Sequence, residues 1–274
     1  VTVAGNTLYM TVFDDITDRK EAEQEVKNAN RELVRSNEEL AQFAYVASHD
    51  LKELLRMVSS YCDLIADRYA DRLDENGQKF IYYATDGASR MQTLIDDLLL
   101  YSRIGRGGET EDQVDLNVVV QDVRELLGES MREGGAVVNV ADMPVVSAYR
   151  TEFVRLFQNL IGNAIKFRSQ SPLVIDIDSE RDGDGWVISV ADNGIGFAPE
   201  YRAKIFGVFQ RLHSRVEYEG TGIGLAICEK IVAQQLGGRI WQEENPTGGS
   251  VFRFSVPDDF AETEKDASET FGSS

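Results

Sequence analysis

The sequence is poor in the residues that most often build disulfide or redox frameworks. It holds two cysteines and two histidines in 274 residues. Cys62 and Cys228 lie far apart, each within an apolar helical pattern. They are expected to be reduced, buried thiols in a cytoplasmic protein. No run approaches the roughly 18 apolar residues of a membrane span, and no signal peptide opens the chain. Direct membrane contact is therefore not expected of this sequence, and any sensor or anchor is expected to lie outside it. Positive charge is also scarce. Lys and Arg total 28 against 47 Asp and Glu, a formal net charge of −19. Such a surface repels nucleic acid and anionic membranes, so neither is an expected partner. It repels nucleotides as well, so a site for one needs bases gathered locally. There is no internal repeat.

What is present fits an ordinary globular chain, with 42% hydrophobic and 27% charged residues. The length suffices for two domains that each bury a core. Residues 1–17 read as a strand, from the alternation in Thr7-Leu8-Tyr9-Met10-Thr11-Val12-Phe13, with no hairpin partner of its own. Thr17 or Asp18 can cap a long helix over about 19–68. Its seam alternates steps of four and three: Val26, Asn30, Leu33, Asn37, Leu40, Ala44, Ala47, Leu51. With Val26, Leu33, Leu40 and Ala47 at d, Asn30 and Asn37 fall at a. That pairing favours a parallel two-stranded coiled coil and fixes its register. After the turn at 71–77, Asp74 can cap a second helix to about Ile104. Its expected core face is Ile81, Ala84, Ala88, Met91, Ile95, Leu98 and Ser102. Two such antiparallel hairpins make a dimeric four-helix bundle. Gly105-Arg106-Gly107-Gly108 then opens a linker.

From Val114 the pattern becomes mixed α/β. Helices are expected at 116–133, 149–169, 199–206 and 221–236. Strands are expected at 136–141, 173–180, 185–192, 238–243 and 250–256, with a hairpin through Asp182-Gly183-Asp184-Gly185. The acidic, Ser/Thr-rich tail after Pro257 reads as disordered.

Four segments carry chemistry. In Ser48-His49-Asp50-Leu51, the heptad register puts His49 at f, away from the dimer seam. A carboxylate that accepts from one imidazole nitrogen leaves the other unprotonated and nucleophilic. By itself such a surface pair usually does nothing. Asn159, Asn163 and Lys166 recur at i, i+4 and i+7 and so share one helix face. Amide oxygens can bind a hard cation without neutralising it, and the lysine adds charge. Asp192-Asn193-Gly194-Ile195-Gly196 follows a strand, where Asp192 can accept from an exocyclic amine. Gly220-Thr221-Gly222-Ile223-Gly224-Leu225 opens a helix and offers backbone N–H groups to phosphates. Trp186 and Trp241 read as packing residues, and His213, in a loop, as a bystander.

The order of these segments resembles the sensor histidine kinase family over about residues 40–257. Ser48 to Leu51 resembles its H box, Asn159 to Lys166 its N box and Asp192 to Gly196 its G1 box. Ile205-Phe206-Gly207-Val208-Phe209-Gln210-Arg211-Leu212 resembles its F box, Gly220 to Leu225 its G2 box, and Gly249 to Phe254 its closing strand. The resemblance implies a coiled-coil helix over 19–45 and a dimerisation and phosphotransfer domain over 46–106. A catalytic ATP-binding domain of the GHKL α/β sandwich type follows over 107–257, then the tail at 258–274. Residues 1–18, ending in Asp15-Ile16-Thr17-Asp18, resemble the end of a PAS sensor domain. Mg²⁺ and ATP are the implied cofactors, and a homodimer and a response regulator the implied partners. Asp192 would hold the adenine amine with Ser250 in support. Asn163 would ligate Mg²⁺ with Asn159 beside it. Lys166 and Arg211 would contact phosphates. Gly194, Gly196, Gly220, Thr221, Gly222, Gly224 and Leu225 would complete the ATP site, under a lid at 197–220. His49 would attack the γ-phosphorus, with Asp50 as its base.

Two positions depart from the family pattern. Leu54 stands where proline is usual. A helical proline removes a hydrogen bond and kinks the helix at a cost of ~3 kcal/mol, so Leu54 implies a straighter helix below His49. Glu53 stands where Thr or Asn is common, and reads first as a solvated helix residue. Leu54 leaves open an alternative, a nucleotide-binding scaffold with impaired transfer or switching. A water-activating ATPase of the gyrase type is disfavoured by Asn159, since an amide takes no proton from water. His49→Gln is accordingly expected to release phosphate from ATP only slowly in a steady-state assay. Rapid turnover would restore the hydrolase reading.

Overall fold

The computed structural model describes residues 2–3, 6–7, 17–105, 112–202, 204–212, 218, 220–246 and 248–258. Within residues 17–46 it describes the side chains of 20, 24–29, 31–32 and 45. The chain divides into two units, residues 1–50 and 51–274.

In the first unit β1 (Thr2–Val3) pairs antiparallel with β2 (Asn6–Thr7), Val3 opposite Asn6. The segment thus has the hairpin partner that the sequence did not suggest, because pairs this short carry no alternation to read. Residues 8–16, including most of the expected strand, lie outside the described residues, as do His213, the linker at 106–111 and the tail beyond Asp258. Helix α1 (Thr17–Tyr69) already contains Thr17 and Asp18, the two residues expected to cap it, so it starts earlier than expected, and it continues into the second unit. Of the seam, Asn30, Leu33, Asn37, Leu40 and Ala44 have side chains outside the described set, and Val26 is exposed.

In the second unit a 3₁₀ turn (Ala70–Arg72) joins α1 to α2 (Glu75–Arg103). Asp74 caps α2, its carboxylate accepting from the Gly77 N–H at 2.7 Å. An ion pair between Lys52 and Asp96 ties the two arms far from the turn, so the arms run antiparallel. The expected core face of α2 is only partly covered within one chain. Ala88 is buried and Ile81 and Ile95 are half-buried, but Ala84, Met91 and Leu98 are exposed. One hairpin offers one groove, which covers only part of a broad apolar face. Leu51, Leu54 and Tyr61 of α1 are exposed as well, and α1 runs unbroken through Leu54. Cys62 is half-buried for the same reason, whereas Cys228 is fully buried, with its thiol pushed far up by burial.

The α/β part is built on a five-stranded sheet in the order β4 (Val137–Val140), β6 (Val174–Asp182), β7 (Gly185–Asp192), β9 (Ser250–Pro257), β8 (Ile240–Glu244). Only the β4–β6 pair is parallel. The β6–β7 hairpin closes at Asp182 opposite Gly185, with Gly183 at a φ of 56°. Two four-residue strands, β3 (Asp112–Asp115) and β5 (Val145–Ala148), form a separate antiparallel pair absent from the sequence reading. They are too short for periodicity and exist by pairing across 30 to 36 residues. Asn117 fastens their ends, donating to the Met143 carbonyl at 2.9 Å and accepting from its N–H at 3.1 Å.

The expected helix 116–133 is two helices, α3 (Leu116–Leu126) and α4 (Gly128–Gly134), which part at Leu127 beside Gly128. Helix α5 (Arg150–Lys166) is shorter than expected by one residue at its start and three at its end. The expected helix 199–206 is a 3₁₀ turn, Pro199–Tyr201, followed by further turns. A segment so short, opened by a proline without N–H and closed by Gly207, does not repay helix nucleation. Helix α6 (Gly224–Gln234) starts three residues later than expected, because Gly222 at φ 76° cannot be helical. The apolar stripe of α5 (Phe153, Leu156, Phe157, Leu160, Ile161, Ala164) is buried with the sheet, α3 and α6 in one core. Phe157 stands at its centre, 6.4 Å from the Phe153 ring and 6.0 Å from that of Phe254. Phe157→Ala is expected to cost about 3–5 kcal/mol of stability, read as a lowered midpoint in chemical denaturation.

Candidate functional site

The packing of α5 fixes where its polar stripe goes. With its apolar stripe in the core, Asn159, Asn163 and Lys166 are left half-buried along one wall of a cavity of about 260 Å³. The end of β7 supplies Asp192 to that cavity, the start of β9 supplies Ser250, and the loop before α6 supplies Gly220, Thr221, Gly222, Gly224 and Leu225. Gly196 and Arg211 also line it. The structure thus brings together every ATP-site residue named from the sequence except Gly194. Gly194 stands just behind, where its N–H donates to Asp192 Oδ1 at 2.8 Å. A side chain there would run into the Phe167 carbonyl, at 2.5 Å.

Asp192 is buried and held from one side. Gly194 N–H and, at 3.3 Å, Ser250 N–H both donate to its Oδ1. Burial raises its carboxyl above the ordinary 3.8, and the two backbone donors partly offset this. Asn159 donates its amide N–H to the Arg155 carbonyl at 3.0 Å, which leaves its oxygen toward Gly224. A Cβ at Gly224 would come within 2.5 Å of that oxygen. A Cβ at Gly220 would come equally close, 2.5 Å, to Lys166 Nζ. The loop therefore lies directly against the amide and the ammonium. Arg211 donates to two carbonyls of its own loop, Gly220 and Tyr218, the latter at 2.6 Å. The Tyr218 ring lies 5.0 Å from that of Phe167.

Sequence reasoning missed Asp97, which reaches the cavity from α2, and the apolar wall of Phe197, Ile205 and Phe252. A carboxylate pair, Asp96-Asp97, inside an otherwise apolar run was the one local signal for Asp97.

His49 is exposed on α1, with its Nδ1 3.4 Å from Asp50 Oδ1, a long contact in which Nδ1–H would donate. That tautomer leaves Nε2 unprotonated and facing solvent. Glu53 is exposed.

The Asp192 shift has a sign in stability. With a folded-state value above 3.8, the folded chain holds its proton longer than the unfolded chain. Stability is therefore lost as pH rises from the ordinary value through the raised one, and the ionised carboxylate is a net cost above that window. Asp192→Asn is expected to unfold at the same or a higher temperature at pH 7, and to show a shallower decline across that window in pH-resolved thermal melts.

Two stretches of the chain match known protein families. Residues 39–107 match the His Kinase A (phospho-acceptor) domain, and residues 148–259 the histidine kinase-, DNA gyrase B- and HSP90-like ATPase. Phytochrome-like protein Cph1 of Synechocystis is 45% identical over 85% of this chain and 31% of its own length. Cyanobacterial phytochrome A of Nostoc is 45% identical over 85% of this chain and 30% of its own. The chain thus spans under a third of the length of these curated relatives. Among solved structures, full-length ShkA in complex with AMPPNP is similar at a TM-score of 0.61 and 25% identity, over 79% of this chain and 45% of that one. ThkA in complex with response regulator protein TrrA is similar at a TM-score of 0.55 and 26% identity, over 90% of this chain and 68% of that one. With a phospho-acceptor helix pair, an ATPase fold and these relatives, the chain belongs to the sensor histidine kinase family.

Proposed function

We propose that this chain transfers the γ-phosphoryl group of Mg-ATP to His49 and passes it on to an aspartate of a response regulator. The observation that carries this reading is the cavity. It gathers a buried carboxylate, two amides, a lysine and a glycine-rich helix start, on a chain that also presents a solvent-facing imidazole beside a carboxylate. Asp192 would take the adenine amine, with the Ser250 N–H orienting it. The apolar wall suits a base, and the helix start suits phosphates.

The donor set fits Mg²⁺ together with a polyphosphate. Asn163 and Asn159 would hold the ion through neutral amide oxygens, and Lys166 would add positive charge beside the loop. Bound there, Mg²⁺ would supply charge neutralisation. Arg211 would have to exchange its bonds to the lid carbonyls for phosphate oxygens, so phosphate contact and loosening of the loop go together. At His49, Nε2 would form the bond to the γ-phosphorus as the bond to the β,γ-bridging oxygen breaks, leaving ADP. Asp50 would hold the proton on Nδ1 and steady the charged product.

A homodimer is supported by the acceptor-domain match and by the apolar face that one hairpin leaves exposed. A response-regulator partner is supported by the ThkA–TrrA complex. The described residues contain no helix long and apolar enough to cross a membrane. The scaffold alternative raised by Leu54 is not favoured, since the chain matches both the acceptor and the ATPase domain in family order. Incubation with γ-labelled ATP and Mg²⁺ is expected to leave an acid-labile label on the protein that is absent in His49→Gln. Label that persists in the variant would overturn the assignment.

A further inference from the structure

The cavity wall includes one charged group that belongs to none of the nucleotide motifs. Asp97 projects from α2 and accepts a hydrogen bond from the Thr221 hydroxyl, at 2.5 Å. Thr221 sits in the middle of the glycine-rich loop. Gly220 on one side lies against Lys166, and its carbonyl takes the Arg211 guanidinium. Gly222 and Ile223 on the other side lead into α6.

The rest of the α2 end is fastened nearby. Lys230 of α6 donates to the Tyr101 carbonyl at 2.7 Å, and its ammonium lies 4.5 Å from that ring centre. Ile104 is buried in the core of the α/β part, with Leu100 packed against it. A carboxylate from the helical arm is thereby held on the loop whose N–H groups and helix dipole favour an anion.

An anionic ligand on the same loop would meet that carboxylate at short range in a partly desolvated site. Burial raises the Asp97 carboxyl, the Thr221 hydroxyl partly offsets this, and the neighbouring Asp96 adds to the rise. Lys52 is ion-paired with Asp96, the neighbour that points elsewhere.

We propose that the Asp97–Thr221 hydrogen bond is a latch that fastens α2 to the glycine-rich loop and that the phosphates of ATP must displace. The latch rests on the ATP reading above. Because the two anions compete for one loop, each weakens the other's hold by the same factor. Nucleotide binding would then free α2 from the loop while the apolar contacts around Ile104 remain.

The test is calorimetric titration of the full chain with Mg-AMPPNP at fixed salt. Asp97→Asn keeps the shape and removes the charge, and is expected to bind roughly five- to tenfold more tightly than the parent, at the low end of typical site coupling. Asp97→Ser makes the same test if the Asn variant does not fold. Asp96→Asn removes an equal charge one residue away and is expected to leave the affinity within about twofold, since its carboxylate pairs with Lys52 and not with the loop. Unchanged or weaker binding in the Asp97 variants, or an equal gain in Asp96→Asn, would overturn the latch. No binding to the parent would instead overturn the ATP reading itself, so the two failures are distinct.

Discussion

One helix has to face the sheet and the cavity at once, and most of the structure follows from that constraint. The apolar stripe of α5 is locked by Phe153, Leu156, Phe157, Leu160 and Ile161, all essentially without solvent contact. Burial of such side chains is worth roughly 1.5–3 kcal/mol each, so rotating the helix to re-aim its polar stripe is prohibitive. Asn159, Asn163 and Lys166 are consequently rigid parts of the cavity, and the loop before α6 comes to them. Preorganisation of this kind is what a phosphoryl-transfer site needs, since positioning and charge do most of that chemistry.

Charge is the second constraint. A chain of net charge −19 must hold an anionic ligand against its own field. The cavity does so with two cations and two carboxylates set at different points. Lys166 and Arg211 flank the loop. Asp192 is set back at the end of β7, buried and held by two backbone donors. Asp97 is the exception, and its presence beside the loop is the reason that docking of α2 and binding of an anion bear on each other.

Much of the site could be read in the sequence because it is built from local signals. The spacing of Asn159, Asn163 and Lys166 is the geometry of one helix face, and Gly220 to Leu225 announces a helix start wherever it lies. The sheet strands from Val174 to Asp192 were legible from alternation and from the Asp182–Gly185 turn. What escaped was non-local. Strands β3 and β5 are four residues each and are defined by one another. Asp97 enters the cavity only because α2 packs on α6, a contact with no trace in the spacing of either helix. The break at Leu127 and the late start of α6 after Gly222, at φ 76°, are local features that helical periodicity alone does not register. The exposed part of the α2 apolar face is the converse case. The sequence pattern reports every surface that is to be covered, whereas a single hairpin covers only some of it.

The nucleotide is proposed to lie along the polar face of α5, between Asp192 and the loop at Gly220. This placement is tested most directly by a crystal structure of the chain with Mg²⁺ and a non-hydrolysable ATP analogue. The adenine amine is expected within hydrogen-bond distance of Asp192, and the phosphates beside Lys166 and the N-terminus of α6. A nucleotide bound elsewhere, or bound with its base away from Asp192, would contradict it.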